Sequence, residues 1–128
     1  MIWYIAFGSA LGGAARYLLG GLIQRLAGSA FPLGTLIINV TGSFLLGFLY
    51  RYSADSAVIS PEIRAMLTIG VCGGYTTFST FSWESVRLLE DGEIGKAATY
   101  LALSVGVSLG AVVLGIVAGR EILTLRRG

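Results

Sequence analysis

In 128 residues the chain carries 55% hydrophobic and only 12% charged side chains, with a formal net charge of +2. Soluble domains run at about 25% charged residues, so a mostly wet exterior is excluded. So small and dispersed a positive charge gives nucleic acid no surface to bind. With no His and a single Cys, an internal disulfide is impossible and a zinc or redox site has almost no ligands.

The charges that exist are bunched. Ile2–Leu22 is apolar apart from Arg16, and Leu33–Tyr50, Ala65–Trp83 and Ala97–Gly119 hold no charge at all. A helical bilayer crossing takes about 20 predominantly apolar residues. Four segments meet that length, which predicts an all-α, multi-pass integral membrane protein, one four-helix transmembrane domain over residues 1–128. A soluble helical core would need a polar shell that this composition lacks. No Lys or Arg precedes the first apolar run, unlike a cleavable signal peptide. The runs are continuous rather than alternating, which disfavours a β-barrel.

The first predicted helix spans Ile2–Leu26. The one charge in its apolar run, Ile2–Leu22, is Arg16, at a cost of at least about 2.5–3.5 kcal/mol near the bilayer centre. The residue therefore needs a partner or a wet vestibule, or it snorkels to the interface. The run contains no acidic residue. Gly8, Gly12, Gly13, Gly20 and Gly21 recur at helical spacing, the pattern that lets backbones approach closely in lipid. That approach can occur within one subunit or between two. A loop with Gly28, Ser29 and Pro32 follows.

The second predicted helix, Gly34–Tyr52, carries Thr35, Asn39 and Ser43 four apart on one face. Asn is costly in lipid unless bonded, so Asn39 must face protein or water. Pro61 then suits the first turn of a third helix, predicted as Pro61–Leu89 and long for one crossing. Its middle reads Gly70-Val71-Cys72-Gly73-Gly74-Tyr75-Thr76-Thr77-Phe78-Ser79-Thr80-Phe81-Ser82. Paired glycines followed by two threonines predict an unwound turn at membrane depth. Backbone freed there must be satisfied by protein, water or an ion, and discontinuous helices often mark ion sites. The alternative is a kink with Ser and Thr bonding back to the preceding turn. Cys72 reads as a small packing residue. Phe78 and Phe81, three apart, share a helix face. They either pack or turn their positive edges into a polar passage. Glu84 reads as interfacial, with Arg87 three residues on as its partner.

Asp91-Gly92 marks a turn, and the fourth helix is predicted over Ile94–Leu123, before the basic pair Arg126 and Arg127. Tyr100, Ser104 and Ser108 repeat the spacing of the stripe on the second helix, and Gly106, Gly110, Ala111, Gly115 and Gly119 repeat the small-residue pattern of the first. Hydroxyls and amides can replace the waters around an anion, or simply bond between helices. Four crossings put both termini on one side, with Arg51, Arg64, Arg120, Arg126 and Arg127 against Arg25, Arg87 and Lys96 on the other. That bias is weak under the positive-inside rule, so insertion in both orientations, and hence an antiparallel dimer, is open. One four-helix bundle fills its own core, so a conducting path calls for an oligomer.

Three strings, Gly12-Gly13-Ala14-Ala15-Arg16-Tyr17, Gly34-Thr35-Leu36-Ile37-Ile38-Asn39 and the long glycine-threonine string of the third helix, resemble the CrcB/Fluc family of fluoride channels. The resemblance extends over essentially the whole chain. It implies an antiparallel, dual-topology homodimer in the cell membrane, with two fluoride pathways and a structural sodium ion at its centre. It assigns the sodium to the backbone carbonyls of Gly73 and Thr76. It assigns the ion pathway to Phe78, Phe81, Asn39, Thr80, Tyr100, Ser104 and Ser108, with Arg16 near the vestibule. Tyr75 stands where several members of the family carry a smaller or aliphatic residue. Such a pore strips fluoride of its water with dipoles rather than full charges, and the membrane potential drives the anion out.

Two other readings compete. A small multidrug exporter is also a four-helix dimer, but it needs a carboxylate in its first helix, where this chain has Arg16. A purely structural membrane subunit needs no glycine break. An enzyme is disfavoured by the lack of His and of paired acids in the apolar runs.

Overall fold

The computed structural model describes residues 1–128, all of them helix, turn or short loop, with no strand. Helix α1 runs over Ile2–Ala27 and stops at Gly28, whose φ of 56° is a left-handed conformation that only glycine adopts freely. Its amide closes the helix on the Gln24 carbonyl at 3.2 Å. The Gln24 side chain then ties down the loop, donating to the Ser29 and Phe31 carbonyls and accepting from the Gly34 amide. One amide thereby satisfies backbone groups that the start of α2 would leave bare in an apolar setting.

Helix α2 spans Leu33–Ala54 and lies along α6, Ile94–Arg127, in the most extensive helix–helix contact of the chain. The predicted ends of both fell short, by two and four residues at their C-termini. Small residues set the separation. A Cβ on Gly47 would strike the Val112 carbonyl, and one on Gly115 would strike the Phe44 carbonyl and, at 2.8 Å, the Phe48 amide. Gly106 and Gly110, on the same glycine series of α6, instead face open space. The series serves packing within the subunit at one end only.

The third segment is built of pieces. Ser60 caps α3, Pro61–Ala65, by accepting from the Ile63 amide at 3.2 Å, and Pro61 occupies the first turn as expected. Met66–Cys72 then forms a π-helix, a feature that the sequence did not suggest. The short helix α4, Gly73–Tyr75, ends in two extended residues, Thr76 (φ −81°, ψ 158°) and Thr77 (φ −151°, ψ 116°). Helix α5, Phe78–Glu90, restarts with Thr77 as its cap. The expected unwound turn therefore lies at Thr76-Thr77, one residue beyond the glycine pair and Tyr75. The alternative reading holds as well, because Thr76 Oγ1 bonds back to the Cys72 carbonyl at 2.9 Å.

Helix α1 packs against the π-helix and α4 through backbone rather than side chains. Gly8 and Gly12 on one side face Gly70 and Gly74 on the other. The π-turn and the glycines belong together, since the widened turn presses its own carbonyls towards α1.

Only 22 of 128 residues are buried, and large apolar side chains such as Trp3, Tyr17, Leu26, Leu109 and Leu114 stand outside. Two helices, Leu33–Ala54 and Ile94–Arg127, are each long and apolar enough to cross a membrane, and most of each lies on the surface. A core helix of a soluble protein would bury its apolar face. The exterior suits lipid.

Candidate functional site

The site is organised by one side chain of α2. Asn39 Oδ1 accepts the Thr77 amide at 2.8 Å, and Asn39 Nδ2 donates to the Thr77 carbonyl at 3.1 Å. This two-point bond replaces the helical partners that Thr77 loses at the break. The costly amide is satisfied by protein, as its position in an apolar run demanded.

The same bonds free two other groups. In an unbroken helix the Thr77 amide would bond the Gly73 carbonyl, but it goes to Asn39. The Thr80 amide would bond the Thr76 carbonyl, but it goes to Thr77 Oγ1 at 3.1 Å. The Gly73 and Thr76 carbonyls thus lose their helical donors together. Gly73 is exposed, with no heavy atom near the place of a Cβ. The Gly74 carbonyl between them accepts from Arg16 Nε at 3.1 Å. Arg16 has found a partner in the break, which accounts for a charge in the apolar run of α1.

Two clefts meet at Thr77. The first, of about 270 Å³, is lined by Asn39, Ser43, Thr76, Thr77, Phe78, Phe81, Ser104 and Ser108, with Leu46 and Val105. It contains no charged side chain. The rings of Phe78 and Phe81 lie 5.7 Å apart at 53°. Phe81 is 8% exposed and Phe78 is 79% exposed, so one ring is a wall and the other an open edge of the subunit. The hydroxyls of Ser104 and Ser108 are buried and unpartnered. Thr68, Thr76, Ser82, Ser85 and Thr124, by contrast, all bond back to the carbonyl four residues earlier. The two cleft serines keep their donors free.

The second cleft, also about 270 Å³, gathers Arg16, Gln24, Thr35, Thr77, Thr80 and Glu84 among small and apolar neighbours. Thr35 belongs here and not with Ser43, so the polar stripe of α2 divides between the two clefts at Asn39. Tyr100 lines neither. It is fully buried, its ring 5.2 Å from Phe81 and 5.6 Å from Phe31. Its hydroxyl reaches 3.5 Å from Glu84 Oε1.

Glu84 departs from the sequence reading. Its carboxylate accepts from Thr35 Oγ1 at 2.5 Å and does not pair with Arg87, which lies 4.0 Å from Glu90 instead. The reason is rotation. Glu84 stands three residues after Phe81 and four after Thr80, so it shares their inward face, while Arg87 points to water. That spacing was the available signal. Thr77, the residue common to both clefts, was visible in the sequence only as part of the break.

With this geometry in view, a model of the family described as CrcB-like protein, Camphor Resistance (CrcB), matches residues 3–116. The chain belongs to the CrcB family. It is 46% identical to the fluoride-specific ion channel FluC of Geotalea uraniireducens (strain Rf4), over 94% of this chain and 98% of that protein. It is 49% identical to the protein of that name from Geobacter metallireducens, over 92% and 95%. Against the one from Rhizobium meliloti it is 48% identical, over 90% and 92%. These relatives are named as channels, not enzymes. The CrcB chain described here is accordingly a membrane protein of an ion-channel family, and its two clefts are the place to look for an ion path.

Proposed function

We propose that the chain is a passive, fluoride-selective channel that releases the anion across the cell membrane. The observation that carries this reading is the uncharged cleft in which Asn39, Phe78 and Phe81 meet two serine hydroxyls with no partner of their own. Fluoride holds its water tightly, and a path must replace that water with the positive ends of dipoles. Free hydroxyls on Ser104 and Ser108 supply donors, and ring edges of Phe78 and Phe81 supply weaker ones. None is a full charge, so the anion is stabilised without being trapped. Arg16, Thr80 and Glu84 at the second cleft stand at one mouth of the path, and Tyr100, behind the clefts, backs the Phe81 ring that walls it.

Four crossings are supported by α1, α2, the composite third segment and α6. An antiparallel homodimer with two pathways suits a subunit whose Phe78 ring is left as an open edge. A structural sodium ion suits the break. Hard oxygen donors favour a hard cation, and the carbonyls of exposed Gly73 and half-buried Thr76 are freed at the turn. One chain offers only an incomplete shell, which a second copy completes. An exporter driven by proton exchange is less well supported, since the one carboxylate at the clefts, Glu84, is held by Thr35.

The test is efflux from liposomes holding the purified protein, fluoride against chloride. Ser104→Ala combined with Ser108→Ala is expected to leave thermal stability almost unchanged, because no protein hydrogen bond is lost, while slowing fluoride efflux at least about tenfold, the rate equivalent of 1.4 kcal/mol. Phe81→Ile, which keeps bulk but removes the ring edge, is expected to slow it further. Unchanged efflux in both variants, or chloride moving as fast as fluoride, would overturn the reading.

A further inference from the structure

The break is held by one stretch of α2, and Thr77, Thr76 and the preceding Tyr75 each have their own contact there. Thr77 is held by Asn39 at two points. Thr76 seats its methyl group, and Tyr75 its ring, on Gly42, where a Cβ would meet both side chains. Tyr75 also has its hydroxyl 2.9 Å from Thr41 Oγ1. The Thr41 hydroxyl directs its proton to the Ile37 carbonyl at 2.8 Å. Its lone pair is therefore the acceptor, and the Tyr75 O–H is the donor. No other side-chain bond reaches from Tyr75.

We propose that Tyr75 and Thr41 form a positioning pair that fixes the placement of the adjacent Thr76, from which one of the two freed carbonyls projects, and so tunes how tightly the break holds a monovalent cation. This rests on the sodium reading above. Tyr75 is the last helical residue before the chain turns extended. Its Cα is one peptide plane from the Thr76 Cα, so anchoring the ring at both ends limits rotation of that plane and fixes where the next plane, the one that carries the Thr76 carbonyl and the Asn39-bound Thr77 amide, begins. The glycine at position 42 provides the seat, and the hydroxyl pair provides the lock. The contact lies outside both clefts and touches none of their lining groups but Thr76, so it acts on the cation site without entering the anion path.

Purified full-length protein with Tyr75→Phe, Thr41→Val and both together would be titrated with sodium chloride against N-methylglucamine chloride, reading the thermal unfolding midpoint. Fluoride efflux at saturating sodium would be measured alongside. The expected result is a rise of about threefold in the half-saturating sodium concentration, the equivalent of one interhelical hydrogen bond in a membrane protein. The double variant should be no worse than either single one, because both remove the same bond. Efflux at saturating sodium should match the parent. A sodium-dependent parent whose half-saturation is the same in all three variants would overturn the pair. So would a uniform loss of stability at every sodium concentration, which is what mere packing gives. A parent whose midpoint ignores sodium would overturn the sodium reading itself, and the pair with it.

Discussion

Replacing Asn39 with Ala is expected to destroy both the break and conduction. The substitution leaves the Thr77 amide and carbonyl without their protein partners at the turn where the two clefts meet. An orphaned buried group costs about 1–3 kcal/mol, and the two groups of the half-buried Thr77 together cost about that much. The freed Thr77 amide can recover its bond by returning to the Gly73 carbonyl, which extends α4 through the break and closes the turn where the two clefts meet. Fluoride efflux should fall by at least about a hundredfold, as a barrier rise near 3 kcal/mol requires. Asn39→Asp separates the two roles. It keeps the acceptor for the Thr77 amide, loses the donor to the carbonyl, and puts a negative charge in the anion path. It should be more stable than Asn39→Ala in thermal unfolding, yet conduct no better. Near-parental efflux in Asn39→Ala liposomes would show that the break neither depends on this amide nor serves conduction.

Gly12→Ala is expected to prevent α1 from docking. The added methyl group would strike the Val71 carbonyl and approach the Tyr75 amide to 2.8 Å. Both obstacles are backbone, so no rotamer relieves the clash, and overpacking costs about 1–3 kcal/mol even where side chains can yield. Its neighbour is the control. Gly13 has nothing within 4 Å of a Cβ in the subunit, so Gly13→Ala should leave subunit stability unchanged. Thermal unfolding and size-exclusion profiles of the two purified variants decide the matter. A Gly12→Ala protein as stable as its parent would show that α1 does not sit against the π-helix as described.

The Gly12 contrast also shows where reading the chain residue by residue reaches its limit. Spacing alone marked Gly8, Gly12 and Gly13 as equivalent members of a small-residue face, and likewise Gly106, Gly110 and Gly115. Packing separates them. Gly8, Gly12 and Gly115 are pressed against carbonyls of neighbouring helices, whereas Gly13, Gly106 and Gly110 face outwards. The periodicity of a helix says which residues share a face, but the partner of that face is chosen by elements far away in the chain.

Composition and charge distribution by themselves determined that the chain is helical and belongs in lipid, because uncharged runs of that length leave no other solvent. The glycine pair followed by two threonines placed the interruption of the third segment to within a few residues, since local conformational preference is a property of the local residues. The polar positions Asn39, Ser104 and Ser108 were legible as stripes for the same reason. Only the tertiary structure decided what those positions do. Asn39 is committed to the Thr77 backbone, while Ser104 and Ser108 keep their hydroxyls free. Arg16 answers a carbonyl 58 residues away, and Glu84 turns inward to Thr35 and away from the arginine three places on. Each of these choices pairs a group with one distant in sequence, and such pairings follow from how helices pack against each other, which no local pattern encodes.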